Sequence, residues 1–122
     1  MITGRVTAGG EAVISVRVRG PAGAETDIDA VIDTGFTDCL TLPPSVISAL
    51  GLPYEAPTQA ILAANHVIVM HYHRGSVWWQ GAERNVLILE AEGVPLVGMA
   101  LRGSDLHMRV IDGGELSIEP VP

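Results

Sequence analysis

The sequence contains one cysteine in 122 residues. A lone thiol excludes a disulfide framework within the chain and suits a reducing compartment. Basic residues are also few: seven Lys and Arg stand against fourteen Asp and Glu, a formal net charge of −7. Phosphate contacts need clustered cations, so this balance argues against a nucleic-acid partner. No apolar run approaches the roughly 18–20 residues of a membrane-spanning helix, and Met1-Ile2-Thr3-Gly4-Arg5 does not open a signal peptide. No internal repeat, low-complexity tract or linker divides the chain. What is present is one domain's worth of sequence, residues 1–122, with 48% apolar residues, enough for a packed core and too many for global disorder. The expectation is a soluble, acidic, cytoplasmic domain with no membrane or nucleic-acid partner.

The periodicity is that of strands. Ile14, Val16 and Val18 alternate with Ser15, Arg17 and Arg19, the pattern of a strand with one buried face. Ala8-Gly9-Gly10-Glu11 and Gly20-Pro21-Ala22-Gly23 are Gly-rich turns on either side, so residues 2–32 read as a three-strand meander. Further strands are expected at residues 58–63, 67–77, 84–89, 107–111 and 115–121. Fourteen glycines and eight prolines punctuate these runs at the short intervals of an all-β barrel or sandwich. One segment departs from this. Residues 42–53 carry Pro at a helix start, Gly51 at the position of a left-handed C-terminal residue and Pro53 as a stop, with Val46, Ile47 and Leu50 on one face. That is one short amphipathic helix. A second helical turn is expected at residues 99–101.

The most informative stretch is Val31-Ile32-Asp33-Thr34-Gly35-Phe36-Thr37-Asp38-Cys39-Leu40. A hydrophobic strand runs into Asp-Thr-Gly, which sets a carboxylate on a loop where it can reach a cleft. Gly35 lets the backbone turn sharply and a substrate approach closely. Thr34 supplies a hydroxyl able to tie the loop to a neighbour. All three residue types also favour ordinary turns, so the tripeptide alone is compatible with either a catalytic loop or a plain one.

The surrounding residues resemble the retropepsin-like aspartic proteases, in particular their small bacterial members. The resemblance rests on Val31 through Thr37, on Leu42-Pro43-Pro44, and on Leu96-Val97-Gly98-Met99 about sixty residues downstream, with Gly103 and Val110-Ile111-Asp112-Gly113-Gly114 continuing it. It implies an all-β, closed barrel with one short helix, forming one lobe of a symmetric acid-protease dimer. It also implies that Leu96, Val97 and Gly98 form a strand behind the aspartate loop. The mobile hairpin that covers substrate in such enzymes has its counterpart at Ala63, Ala64, Asn65 and His66. That tip has no glycine, although Asn65 tolerates a left-handed conformation.

Peptide hydrolysis by this chemistry needs two carboxylates sharing one proton, one to activate water and one to protonate the scissile carbonyl. The chain has a single Asp-Thr-Gly and about half the length of a two-lobed enzyme. The second carboxylate is therefore expected to be Asp33 of another copy, in a twofold dimer. The terminal strands, which often build that interface in the family, are suitably apolar here at residues 2–6 and 116–121, although Pro120 and Pro122 restrict pairing at the end. The resulting expectation is an aspartic endopeptidase acting on a peptide or protein substrate. Asp33 is its acid and base, Thr34 the brace across the pair, and Gly35 the point of close approach. Ala63, Ala64, Asn65 and His66 form the lid. Asp38 is either a specificity residue or a turn residue. No cofactor and no metal are called for.

Two other readings use the same residues. A retropepsin-like fold can serve as a dimeric binding or scaffold module. His71 and His73, on one face of a strand, have a spacing able to bind a metal, or they lie on a solvated face. Trp78-Trp79 directs one indole to each side of its strand, one to the core and one to the surface or a cleft lip. Cys39, beside an apolar run, is a small buried hydrophobe rather than a reactive thiol.

Overall fold

The computed structural model describes residues 1–100, 104–108 and 113–121. The alternation at the start of the chain becomes β2 (Ala12–Arg19), with Ile14, Val16 and Val18 buried and Ser15, Arg17 and Arg19 outward. It lies between β1 (Ile2–Val6) and β3 (Glu25–Ile32), antiparallel to both, which makes the expected meander. The chain then forms β4 (Leu40–Leu42), α1 (Pro44–Leu50), β5 (Tyr54–Ile61), β6 (Val67–Trp79), β7 (Ala82–Glu90), β8 (Leu96–Val97), β9 (Ser104–Met108) and β10 (Glu115–Pro120). All ten strands belong to one sheet in the order β5-β6-β7-β4-β8-β3-β2-β1-β10-β9. A second pairing of β6, with β2 through Val18–Val77 and Arg19–Ser76, brings that sheet back on itself.

The helix forms for the reasons its sequence gives. Pro44 occupies the first turn, where its missing N–H is not needed, and Gly51 closes the end at φ 64°, its amide donating to the carbonyls of Ile47 and Ser48. Ile47 and Leu50 enter the core, and Val46 packs against it. Ile14, Leu40, Leu42, Ile88 and Leu116 are fully enclosed there. Burying each such side chain contributes about 1.5–3 kcal/mol. Trp79 is buried while Trp78 is exposed, the division expected for adjacent indoles on a strand. No helix of the described residues is long and apolar enough to cross a membrane.

Several strand boundaries differ from the sequence reading: β5 ends at Ile61 rather than 63, and β7 (Ala82–Glu90) is longer than residues 84–89. β5 begins at Tyr54 and not at residue 58, because Pro57 is tolerated on an edge strand that pairs only with β6. β6 extends to Trp79, where Gln80 and Gly81, both at positive φ, make a two-residue hairpin turn into β7. β9 begins at Ser104, earlier than expected. Residues 109–111 of the strand expected there, Leu101 of the expected helical turn, Gly103 and Val110 to Asp112 lie outside the described residues; Met99 and Ala100 form a turn.

The terminal strands pair within the chain. β1 pairs with β2 on one side and with β10 on the other, and β10 pairs with β1 and β9. Their hydrogen-bonding edges are thus largely used within the chain. The free edges of the sheet are β5 and β9.

Candidate active site

Asp33 follows the last residue of β3, where that strand runs parallel to β8 through Val31–Leu96 and Ile32–Val97. Its amide donates to the carbonyl of Val97 at 2.9 Å, and its own carbonyl accepts from Phe36 at 3.1 Å. One carboxylate oxygen, Oδ1, accepts the Gly35 amide at 2.9 Å. Strand pairing therefore fixes the backbone of the acid, and a tight local turn fixes its side chain. Asp33 is partly buried, and Thr34 and Gly35 beside it are exposed.

The glycine that this loop most needs is Gly98. A Cβ there would collide with the carbonyl oxygen of Asp38 and lie 2.6 Å from both the carbonyl oxygen and the ring of Phe36. Only hydrogen lets β8 approach closely enough for Gly98 to donate to Cys39 and Met99 to Phe36, at 2.9 and 2.8 Å. At Gly35, within the turn itself, a Cβ would meet only Asp33 Oδ1, at 3.3 Å. Leu96 and Val97 support the loop from behind. Val97 is 3% exposed, with its backbone paired to β3 and β4, which makes it part of that support.

Thr41 completes this support and is not apparent from sequence. It is a buried polar residue, and its Oγ1 accepts the Leu96 amide at 2.8 Å, tying β4 to the start of β8 across 55 residues. Thr41→Val keeps the shape but leaves that amide without its partner. The expected loss is about 1–3 kcal/mol of unfolding free energy, read by denaturant titration.

β5 and β6 form the hairpin whose tip carries Ala63, Ala64, Asn65 and His66, the residues expected to form a lid. From Ile61–Val67 back to Ala56–Tyr72 they pair with one another, and β7 joins only from Tyr72 onward. The tip is closed by the Leu62 amide donating to the His66 carbonyl at 2.7 Å, with Ala64 and Asn65 at φ 61° and 58°. Asn65 is left-handed as expected. Ala64 is too, which its residue type does not suggest, and an alanine there carries a strain of about 1 kcal/mol. Ala64→Gly is expected to relieve it and to slow hydrogen exchange at the Leu62 amide.

Asp38 faces this hairpin. Its Oδ2 accepts a hydrogen bond from the Tyr72 hydroxyl at 2.8 Å. Burial, and then the bond to Asp38, push the Tyr72 phenol above its ordinary pKa. The protonated, donating form is therefore favoured by folding, and its contribution is present at neutral pH and lost only as pH rises through the raised value. On the other side of the hairpin's root, Arg74 makes a forked bond to Glu55 at 2.7 and 3.0 Å, which holds Glu55 below the usual carboxylate range. That pairing is fully present above the ordinary carboxylate pKa and lost as pH falls through the lowered one.

His71 and His73 share a face, as their spacing requires, and Tyr54 packs against both with ring centroids 5.6 Å away. His71 Nδ1 meets the Tyr54 hydroxyl at 3.2 Å. His73 Nδ1 meets the Leu52 carbonyl at 3.3 Å, and its Nε2 lies 3.3 Å from Glu90. Among the described residues, no three His, Cys, Asp or Glu side chains converge on a common point. Cys39 is partly buried against the core, and burial raises its thiol pKa, the state of an inert thiol.

The site thus consists of one carboxylate in a rigid backbone cradle, on a loop backed by β8 and faced by a hairpin. No family model matches this chain, and no curated protein matches it in sequence. Its structure is similar to that of a retropepsin-like aspartic protease from Rickettsia conorii. The TM-score is 0.58 at 21% sequence identity, over 93% of this chain and 86% of that one. The ten-stranded chain with its one helix has the fold of a retropepsin-like aspartic protease.

Proposed function

We propose that the chain is an aspartic endopeptidase, active as a homodimer in which each copy supplies Asp33. The observation that carries this reading is the cradle of Asp33. Its amide is pinned to Val97 and its carboxylate held by the Gly35 amide, at the end of a strand in a fold of this kind. A single fixed carboxylate is half of an acid–base pair. Two such groups a few ångströms apart hold one proton between them. The ionised one takes a proton from water as that water attacks the scissile carbonyl carbon, and the protonated one donates to the carbonyl oxygen. The tetrahedral intermediate then collapses as the leaving nitrogen is protonated and the C–N bond breaks. No covalent enzyme intermediate forms.

An extended peptide fits the space as an added strand, held by main-chain bonds and sorted by side-chain pockets. Thr58, Ala60, Met70 and Tyr72 are half-buried, while their neighbours along the strands, Gln59, Ile61 and Val69, are exposed. The alternation belongs to β5; on β6, His71 and His73 are half-buried alongside Met70 and Tyr72. For the second copy, the edge on offer is β9. Its Leu106, 38% exposed, also lines a hollow of about 70 Å³ with Ile32, Val97, Gly98 and Met99, directly behind the Asp33 loop.

The test is digestion of a peptide library by the purified protein, with and without a transition-state analogue of aspartic proteases, read by mass spectrometry. Cleavage at defined bonds, abolished by the analogue, is expected. A dimer that cleaves nothing from acid to neutral pH would favour a binding module instead.

A further inference from the structure

The β5–β6 hairpin is nearly free-standing. Among the described residues, 56–71 have no sheet neighbour beyond their own two strands, and such a ribbon has little stability by itself. Its attitude over Asp33 must be set at its root. Tyr72 is the first residue of β6 that also pairs with β7, through Leu89, and so marks the line about which the ribbon pivots. Most of the side-chain bonds near that line join the ribbon to itself or to the outer wall: Tyr54 to His71, Arg74 to Glu55, and His73 to the Leu52 carbonyl. Among the described residues, Tyr72 to Asp38 is the one side-chain hydrogen bond that crosses from the ribbon to the loop carrying Asp33.

Asp38 is a firm anchor for it. Its carbonyl accepts the Ala100 amide at 3.3 Å and packs against Gly98, and Phe36 and Cys39 of the same loop accept the amides of Met99 and Gly98, which follow β8. We propose that Tyr72 is a positioning residue, whose hydrogen bond to Asp38 latches the root of the hairpin to the catalytic loop and so fixes the height of the lid over Asp33. Asp38 is then neither a plain turn residue nor a group free to meet substrate unless the latch opens. The geometry couples the lid and the acid through one polar contact, at the position where a small rotation moves the tip most.

This inference rests on the protease reading for its catalytic consequence but not for its structural one, and two measurements separate them. In Tyr72→Phe, which keeps the ring and removes the hydroxyl, hydrogen exchange of amides in residues 57–70 is expected to rise about tenfold, as for loss of a hydrogen bond to a charged acceptor. Amides of β2 and β3 should be unchanged. Asp38→Asn retains a carbonyl oxygen as acceptor and should keep most of the protection; Asp38→Ala should lose it, and adding Tyr72→Phe should then have a much smaller effect than in the wild type, limited to the Tyr72 contact with Thr58 inside the ribbon. With a cleavable peptide, Tyr72→Phe should raise KM several-fold while changing kcat by less than twofold, the signature of weakened capture without damage to the reacting groups. Unchanged exchange in the hairpin, or an equal rise throughout β2 and β3, would overturn the latch. Because the exchange measurement needs no substrate, a protein that cleaves nothing can still retain the latch, and an active one can lack it.

Discussion

Asp33→Asn is expected to abolish peptide cleavage while leaving the fold and the dimer intact. Asparagine has nearly the same shape, and its side-chain oxygen can still accept the Gly35 amide, so the 2.9 Å contact that orders the loop survives. What it lacks is a titratable proton. Neither water activation nor protonation of the carbonyl can then proceed, and each such transfer is worth about 10²–10⁴ in rate. The loss should therefore be on the order of 10⁴ or more. Excess Asp33→Asn chains should also suppress wild-type activity, since mixed dimers hold only one ionisable partner. Full activity in the variant would remove Asp33 from the mechanism, whatever the fold.

The second large effect is structural in origin. Gly98→Ala places a methyl group onto the backbone of residues 36 and 38, where neither carbonyl can yield without breaking its bond to Met99 or Ala100. A clash with backbone is more severe than one with a mobile side chain, and the expected destabilisation is about 3–5 kcal/mol. That is a large fraction of the margin of a domain this size. Where the variant still folds, β8 must retreat from the loop and Asp33 shifts with it. Activity should then fall by about 10²-fold or more, since small displacements of reacting groups carry penalties of that order. Chemical denaturation and single-turnover cleavage of the same sample would separate the two losses.

The parts of this structure that were legible in the sequence are those determined by local pattern. Alternation at residues 14–19 specified β2, Pro44 and Gly51 bounded α1, and Asp33-Thr34-Gly35 marked the site loop. Contacts made across the fold were not legible. Tyr72 and Asp38 are separated by 34 residues, and Thr41 and Leu96 by 55, so nothing in the neighbourhood of either residue announces its partner. β4 is only three residues long, too short to display a period, and is a strand because β7 and β8 provide partners on both sides. The terminal strands were ambiguous for a related reason. Their apolar alternation is as suitable for pairing within the chain as for pairing between chains, and β10 folds back beside β1. Ala64 shows the converse: closure of the hairpin imposes a left-handed backbone on a residue that does not favour it.

The central claim is that one active site is assembled from two chains. It is tested most directly by measuring specific activity over a wide range of protein concentration, alongside the molecular mass by analytical ultracentrifugation at the same concentrations. If each site needs two copies of Asp33, activity per chain should be constant where the dimer dominates. Below the dissociation constant it should fall in proportion to concentration, because dimer varies as the square of free monomer. The fall should coincide with the change in mass from dimer to monomer. Activity per chain that stays constant while the mass is that of a single chain would contradict the shared site.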